Sequence, residues 1–392
     1  MKLSNLFFLI FLGHFSFSQE WVQVGTTLVG ENENDNFGHS SELNKDGSIL
    51  AVAAAQAQYN SKYIKVYRRS GDNWIQMGDN ITASESWFLA YGAGEIISLS
   101  DDGLTLAFAE TQGGSGGVYQ RGKVSIYKYF NNKWNKTGEI NPDDQSGSNS
   151  YFGHSIRINQ DGTVLGISNP YYNNFNKKPY VRFYKYVNSS WIYDSQILYD
   201  QSSSHLGADE FAINSEGTIV AIPVQNENKI NIYKKENNLW NLLGNSIVDQ
   251  VLNTTAISLD SLGHKLVFGN PTIKNSQDEI VGKVSSYKYA GDQTKWEKID
   301  SDIFGNPYTE NIGGEKFGYS LDLSDDGNRL IIGALEYGEG DCLVNQPNVQ
   351  NGKINAYFFD NDRWNEMGSN IVGERCGDKF GRTVSISGDG NT

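Results

Sequence analysis

FGHSSELNKDGSILAV, residues 37–52, packs a strand, a turn and a second strand into one phrase. From Phe37, apolar positions alternate with small or polar ones, the pattern of a strand with one buried face. Asp46-Gly47 then supplies a tight turn, because both residue types reach positive φ with little strain. Ile49–Val52 is an unbroken apolar run, as in a strand covered on both faces. The phrase returns as FGHSIRINQDGTVLGI from Phe152, FGYSLDLSDDGNRLII from Phe317 and FGRTVSISGDGNT from Phe380. A recurring phrase of this kind specifies an architecture before it specifies a site.

Two anchors measure the repeat. Turn glycines occur at Gly47, Gly103, Gly162, Gly217, Gly263, Gly327 and Gly390, and they alternate with Trp21, Trp74, Trp134, Trp191, Trp240, Trp296 and Trp364. The glycine spacing of 46 to 64 residues suits a four-stranded propeller blade with its loops. Strand 3 carries text such as KVSIYKY, with Tyr67, Tyr127, Tyr184, Tyr233, Tyr287 and Tyr357 at one equivalent position, and strand 4 opens at the tryptophan. One unit cannot bury both faces of its small sheet, so the sheets must stack around an axis. The expected fold is an all-β, seven-bladed propeller of four-stranded antiparallel blades, with the last blade incomplete. The repeated Tyr and Trp read as packing between blades.

The ends follow from the same count. WVQVGTTLVG, from Trp21, is a strand-4 phrase without strands 1 to 3 before it, and the phrase from Phe380 is a strand 1 without strands 2 to 4. Residues 19–36 are expected to close the ring as the outer strand of the seventh blade, and residues 37–392 to form six full blades and the start of the seventh. The chain then reads as a monomeric domain of a longer protein. Residues 1–18 read as a signal peptide: Lys2, the short apolar run LFFLIFL, and small residues at Ser16 and Ser18. Secretion or cell-surface display is expected, without membrane insertion. The formal charge of −14 opposes binding to nucleic acid.

The strand 1–2 and 3–4 turns are short throughout, whereas the 2–3 and 4–1 connections vary widely in length. In an up-and-down sheet those two connections leave on one side, so a long-loop face opposes a plain one, and binding is expected on the loops. Cys342 and Cys376 lie in two such connections of one unit, and an exported protein meets oxidant, so a disulfide is expected. Closing its loop would stabilise by roughly 3–4 kcal/mol.

FG-x-S opening a strand, then DG, then an apolar strand, resembles the FG-GAP repeat of integrin-α-type propellers. The phrases LNKDGSILAVAAA and LSDDGNRLIIGAL are similar to repeat propellers exported by Bacteroidota. The resemblance implies the fold and an adhesive role. The family's calcium loop spaces several Asp or Asn around the DG, whereas NKDG, NQDG and NSEG offer one or two oxygens each. Calcium needs six to eight, so neither calcium nor any other cofactor is expected.

For function, three readings stand. The first is a non-catalytic recognition or adhesion propeller that binds an extracellular protein or glycan through the loop face. The second is a glycan-directed hydrolase or lyase with its site at the channel mouth, and the third a structural spacer. Two residues after the phenylalanine of each FG phrase, or its equivalent, stand His39, Glu95, His154, Asp209, Thr255, Tyr319 and Arg382. This ring belongs at the mouth of the channel, where imidazoles and carboxylates suit acid–base work or simply hydrate strand ends. Trp87 with Tyr91 forms an aromatic group outside the repeat, able to stack on a sugar or to plug its own loop. HExxH, CxxC and glycine-rich phosphate loops do not occur.

Overall fold

A computed structural model describes residues 20–32, 35–54, 62–82, 97–110, 122–142, 152–170, 179–198, 210–291, 294–307, 314–338 and 350–392. Six antiparallel sheets follow one another along the chain, each with its four main strands hydrogen-bonded in sequence order. In blade 1 these are Phe37–Leu43, Ile49–Ala54, Tyr63–Ser70 and Asn73–Gln76, and in blade 6 Phe317–Leu323, Arg329–Ala334, Lys353–Asp360 and Arg363–Glu366.

The turn chemistry is uniform. All seven turn glycines take φ between +65° and +72°, the left-handed region where a Cβ is costly. Three residues before each stands an Asn, Ser or Asp whose side-chain oxygen accepts the N–H five residues on: Asn44 Oδ1 from Ile49, Ser100 Oγ from Thr105 and Asn159 Oδ1 from Val164. Asn214, Asp260, Ser324 and Ser387 repeat the bond. The 3–4 turns place pairs such as Asn131-Asn132 and Asn237-Asn238 at positive φ, the two-residue hairpin that matches strand twist.

The core is divided among the interfaces. One cluster joins Ile49, Ala51, Ala53, Ile64 and Val66 of blade 1 to Ile97, Leu99, Leu106 and Phe108 of blade 2. Four more join blades 2–3, 3–4, 4–5 and 5–6 in the same way. The tryptophans stitch the outer strands. Trp134 Nε1 donates to Met77 O of the preceding blade at 2.9 Å, and Trp296 Nε1 to Leu243 O at 2.9 Å. These rings are packing, as expected of the repeat.

The blade count is corrected: the structure has six blades, not seven. The seventh position of the ring holds two segments that form no sheet. Residues 380–392 repeat the inner phrase, with Ser387 N bonded to Thr392 O at 2.9 Å and Leu43 N of blade 1 donating to Ser385 Oγ at 3.0 Å. On the outside, Trp21 Nε1 donates to Met367 O of blade 6 at 3.2 Å, and Gly25 lies against Asp72 O and Trp74 of blade 1. A ladder needs a partner strand, and among the described residues 380–392 pair only at one isolated bridge, Phe380 with Gly352.

Candidate active site in the central channel

The residues after the inner strands form a closed belt. Backbone N–H groups donate from Lys45 to Asp101 O, Asp101 to Gln160 O, Gln160 to Ser215 O, Ser215 to Ser261 O, Ser261 to Asp325 O, Asp325 to Gly388 O and Gly388 to Lys45 O, at 2.7 to 3.2 Å. This belt frames the channel on the short-turn face. Above it lies a cavity of about 170 Å³ lined by all seven units.

Some of its charges come from one register position. Five residues after the phenylalanine of FG, or its equivalent, stand Glu42, Ser98, Arg157, Ala212, Ser258, Asp322 and Ser385. Most are tied to a neighbouring unit. Glu42 Oε2 accepts Leu99 N at 3.0 Å, Ser98 Oγ accepts Ile158 N at 3.0 Å, and Asp322 Oδ2 accepts Ile386 N at 3.0 Å. Arg157 has no acceptor to offer. It forms an ion pair with Glu210, whose other oxygen accepts Ile257 N at 2.9 Å.

At the belt, Lys45 Nζ stands 2.7 Å from Asp325 Oδ2 and 3.3 Å from Asp101 Oδ2. Burial works against the Lys45 ammonium, but the two carboxylates outweigh it and hold its pKa above the ordinary value. Burial also raises the Asp101 carboxyl pKa, and the nearby Asp325 and Asp102 charges add to this. Lys45 only partly offsets them, because it sits closer to Asp325. A carboxyl whose pKa is raised, beside an ammonium at the edge of a polar cavity, is a candidate for acid–base work. A Cβ at Gly388 would stand 2.7 Å from Asp325 Oδ2 and 3.0 Å from Lys45 Cγ, so both side chains would have to shift.

The chain shares its fold with solved enzyme propellers. It is similar to the periplasmic gluconolactonase of Pseudomonas aeruginosa, at 13% identity, with 83% of each chain covered and a TM-score of 0.53. A 6-phosphogluconolactonase candidate from Bacteroides uniformis gives 10%, 87% of each chain and 0.55. The hydrazine synthase of Kuenenia stuttgartiensis gives 10%, 94% of each chain and 0.54. No family model and no curated protein matches the chain, so FG-GAP membership rests on the motif alone. The expectation of a non-catalytic adhesion propeller is corrected at this point: these propellers bear the names of enzymes, not adhesins.

Of the residues singled out from sequence, Trp87, Tyr91, Glu95, Asp209 and Cys342 lie outside the described residues, while Cys376 is exposed. His39 and Arg382 are brought together along an open cleft of about 510 Å³ between blade 1 and residues 377–383. Burial, then the Arg382 charge, pushes the His39 imidazole down to about 4. His154 is buried and lines neither cavity. Sequence reasoning passed over the channel charges because it watched the ring two residues after the FG phenylalanine. The same register count carried three residues further reaches Glu42, Arg157 and Asp322.

Proposed function

We propose that this chain is a hydrolase whose site is the central channel, acting on a small polyhydroxylated ester, most simply a sugar-derived lactone. The Lys45–Asp101–Asp325 cluster carries the reading, and its likeness in fold to lactonase propellers favours the substrate class. Asp101 takes the proton of an attacking water as its oxygen bonds to the ester carbonyl. Lys45 steadies the charge that develops on the carbonyl oxygen, and Asp101 returns the proton to the departing alkoxide. Asp325, the closer partner of Lys45, holds the ammonium in place. Arg157, lining the same cavity, favours substrates with an additional anionic or hydroxyl-rich end.

The test is turnover above the spontaneous rate on a panel of aldonolactones and simple esters. Asp101→Asn is expected to lower kcat by about 10²–10⁴-fold with the circular dichroism spectrum unchanged. Wild-type protein that leaves every ester and lactone at its spontaneous rate overturns the reading. Export and a Cys342–Cys376 disulfide belong to the same proposal, since a lactonase outside the cytoplasm would meet oxidant. Titration of the unreduced, denatured chain should then find no free thiol.

A further inference from the structure

The outer strands of the six blades form the rim of the molecule, and each presents a free edge. An exposed edge strand is a template for pairing with another chain, and proteins blunt it with breaks or charge. Blades 1, 4, 5 and 6 break theirs after four residues, at Gln76, Leu242, Lys298 and Glu366. In three of them a glycine of positive φ follows: Gly78, Gly244 and Gly368. Blade 2 runs on for eight residues, Lys133–Ile140, but exposes Lys133, Lys136 and Glu139. Blade 3 has neither device among the described residues. Its outer strand, Ser190–Leu198, runs for nine residues and exposes Ile192 at 49% and Tyr193 at 52%. Its one charge, Asp194, is already tied to Lys185 at 3.0 Å and to Lys235. The neighbouring groove is apolar as well. Trp191 lies against Gly138 of blade 2, so Ile192 alternates to the blade 4 side. Trp240 of blade 4 packs on Phe183 of blade 3 with ring centroids 4.5 Å apart, so Leu242, two residues on and 49% exposed, turns to the same groove. At the other rim grooves the equivalent pairs are Ile75 and Lys136, Asn135 and Tyr193, Asn241 and Lys298, and Glu297 and Glu366.

We propose that the outer strand of blade 3 is a self-association surface, on which a second copy of this chain pairs its own Ser190–Leu198 antiparallel about a twofold axis. The register follows from the hairpin. Asn188-Ser189 is a two-residue turn, so Val187 and Ser190 exchange hydrogen bonds within the blade, as do Lys185 and Ile192. Trp191 and Tyr193 therefore aim their N–H and C=O groups outward. A twofold at Ile192 sets Trp191 of each copy opposite Tyr193 of the other and Ile192 opposite itself. All four outward groups then pair, and no like charges stand opposite. The same axis in blade 5 would set Glu297 against Glu297, which disfavours it. Nine residues at about 3.3 Å each make a seam of about 30 Å. With the Ile192–Leu242 groove beside it, the strip approaches the ~800 Å² per copy that stable complexes bury.

Sedimentation equilibrium on the full chain at about 1–100 μM should show a reversible dimer with a Kd on the order of 10 μM or tighter. Ile192→Lys and Tyr193→Lys should each weaken it by about tenfold or more, since each puts a charge into the apolar seam. Both side chains are exposed, so circular dichroism and melting temperature should not change. Ile75→Lys, at the equivalent place in blade 1, should leave the dimer intact. Each copy carries a formal charge of −14, so raising the salt from about 50 to 500 mM should tighten the dimer by screening that repulsion. Hydrogen exchange at the Trp191 and Tyr193 amides should slow as the protein concentration rises. A chain that stays monomeric at about 100 μM overturns the proposal. So does a dimer indifferent to both blade 3 variants, lost in Ile75→Lys, or loosened by salt.

Discussion

His39 links one residue to the pH behaviour of the molecule. Its imidazole has a pKa of about 4 in the folded chain against 6.5 for the free side chain, because burial and the Arg382 guanidinium both oppose its charge. Between those values the unfolded chain binds more protons than the folded one. The part of the stability that depends on neutral His39 is therefore complete above about pH 6.5, falls as the pH drops toward about 4, and changes no further below that. His39→Gln should flatten this segment of a melting-temperature profile, and an unchanged slope would count against the assignment. Asp101 has the opposite sign. Its raised pKa means that the ionised carboxylate is disfavoured by folding, so Asp101→Asn should keep or raise the melting temperature at pH 7 while turnover falls. Lys45 retains Asp325 at 2.7 Å in that variant.

At the scale of the element, the strand 1–2 turn is the repeated device of this chain. Asn159 Oδ1 accepts both Thr163 N at 2.9 Å and Val164 N at 2.7 Å. Asn159→Ala leaves those donors without their partner at the start of a buried strand, and urea unfolding should show a loss of about 1–3 kcal/mol. Gly162→Ala attacks the same turn from the backbone. At φ +67° a Cβ is strained, and it would stand 2.7 Å from Thr105 Oγ1 of the preceding blade. A cost of at least about 1–2 kcal/mol is expected. The turn was legible in the sequence from its recurring glycine, most often preceded by Asp, whereas the side-chain cap three residues before the glycine emerged only from the structure. The role of Thr105 as its neighbour was not legible either, because that contact joins residues far apart in the chain.

For the whole molecule, the belt of seven backbone hydrogen bonds couples the turns to the channel charges. Gly388 shows the coupling: an added methyl meets Asp325 Oδ2 and Lys45 Cγ together. Gly388→Ala should therefore lower stability, by about 1–3 kcal/mol in urea unfolding, and turnover on the lactone panel together. Asp101→Asn should lower turnover alone. A Gly388→Ala variant with both unchanged would show that the cluster tolerates displacement.

The sequence by itself determined the blade, because alternation, turn chemistry and the glycine–tryptophan count are local and recur in every unit. It also determined that the aromatic positions are packing, since period-two strands must bury one side somewhere. Only the tertiary structure decided the number of sheets, since a ladder forms between strands and, among the described residues, 380–392 carry the inner phrase with only an isolated bridge at Phe380. It alone decided the candidate site as well. Glu42, Arg157 and Asp322 look like ordinary polar positions of alternating strands until the ring turns them toward one axis. Lys45, Asp101 and Asp325 become a cluster only because hydrogen bonds between distant turns draw three units within ion-pair distance.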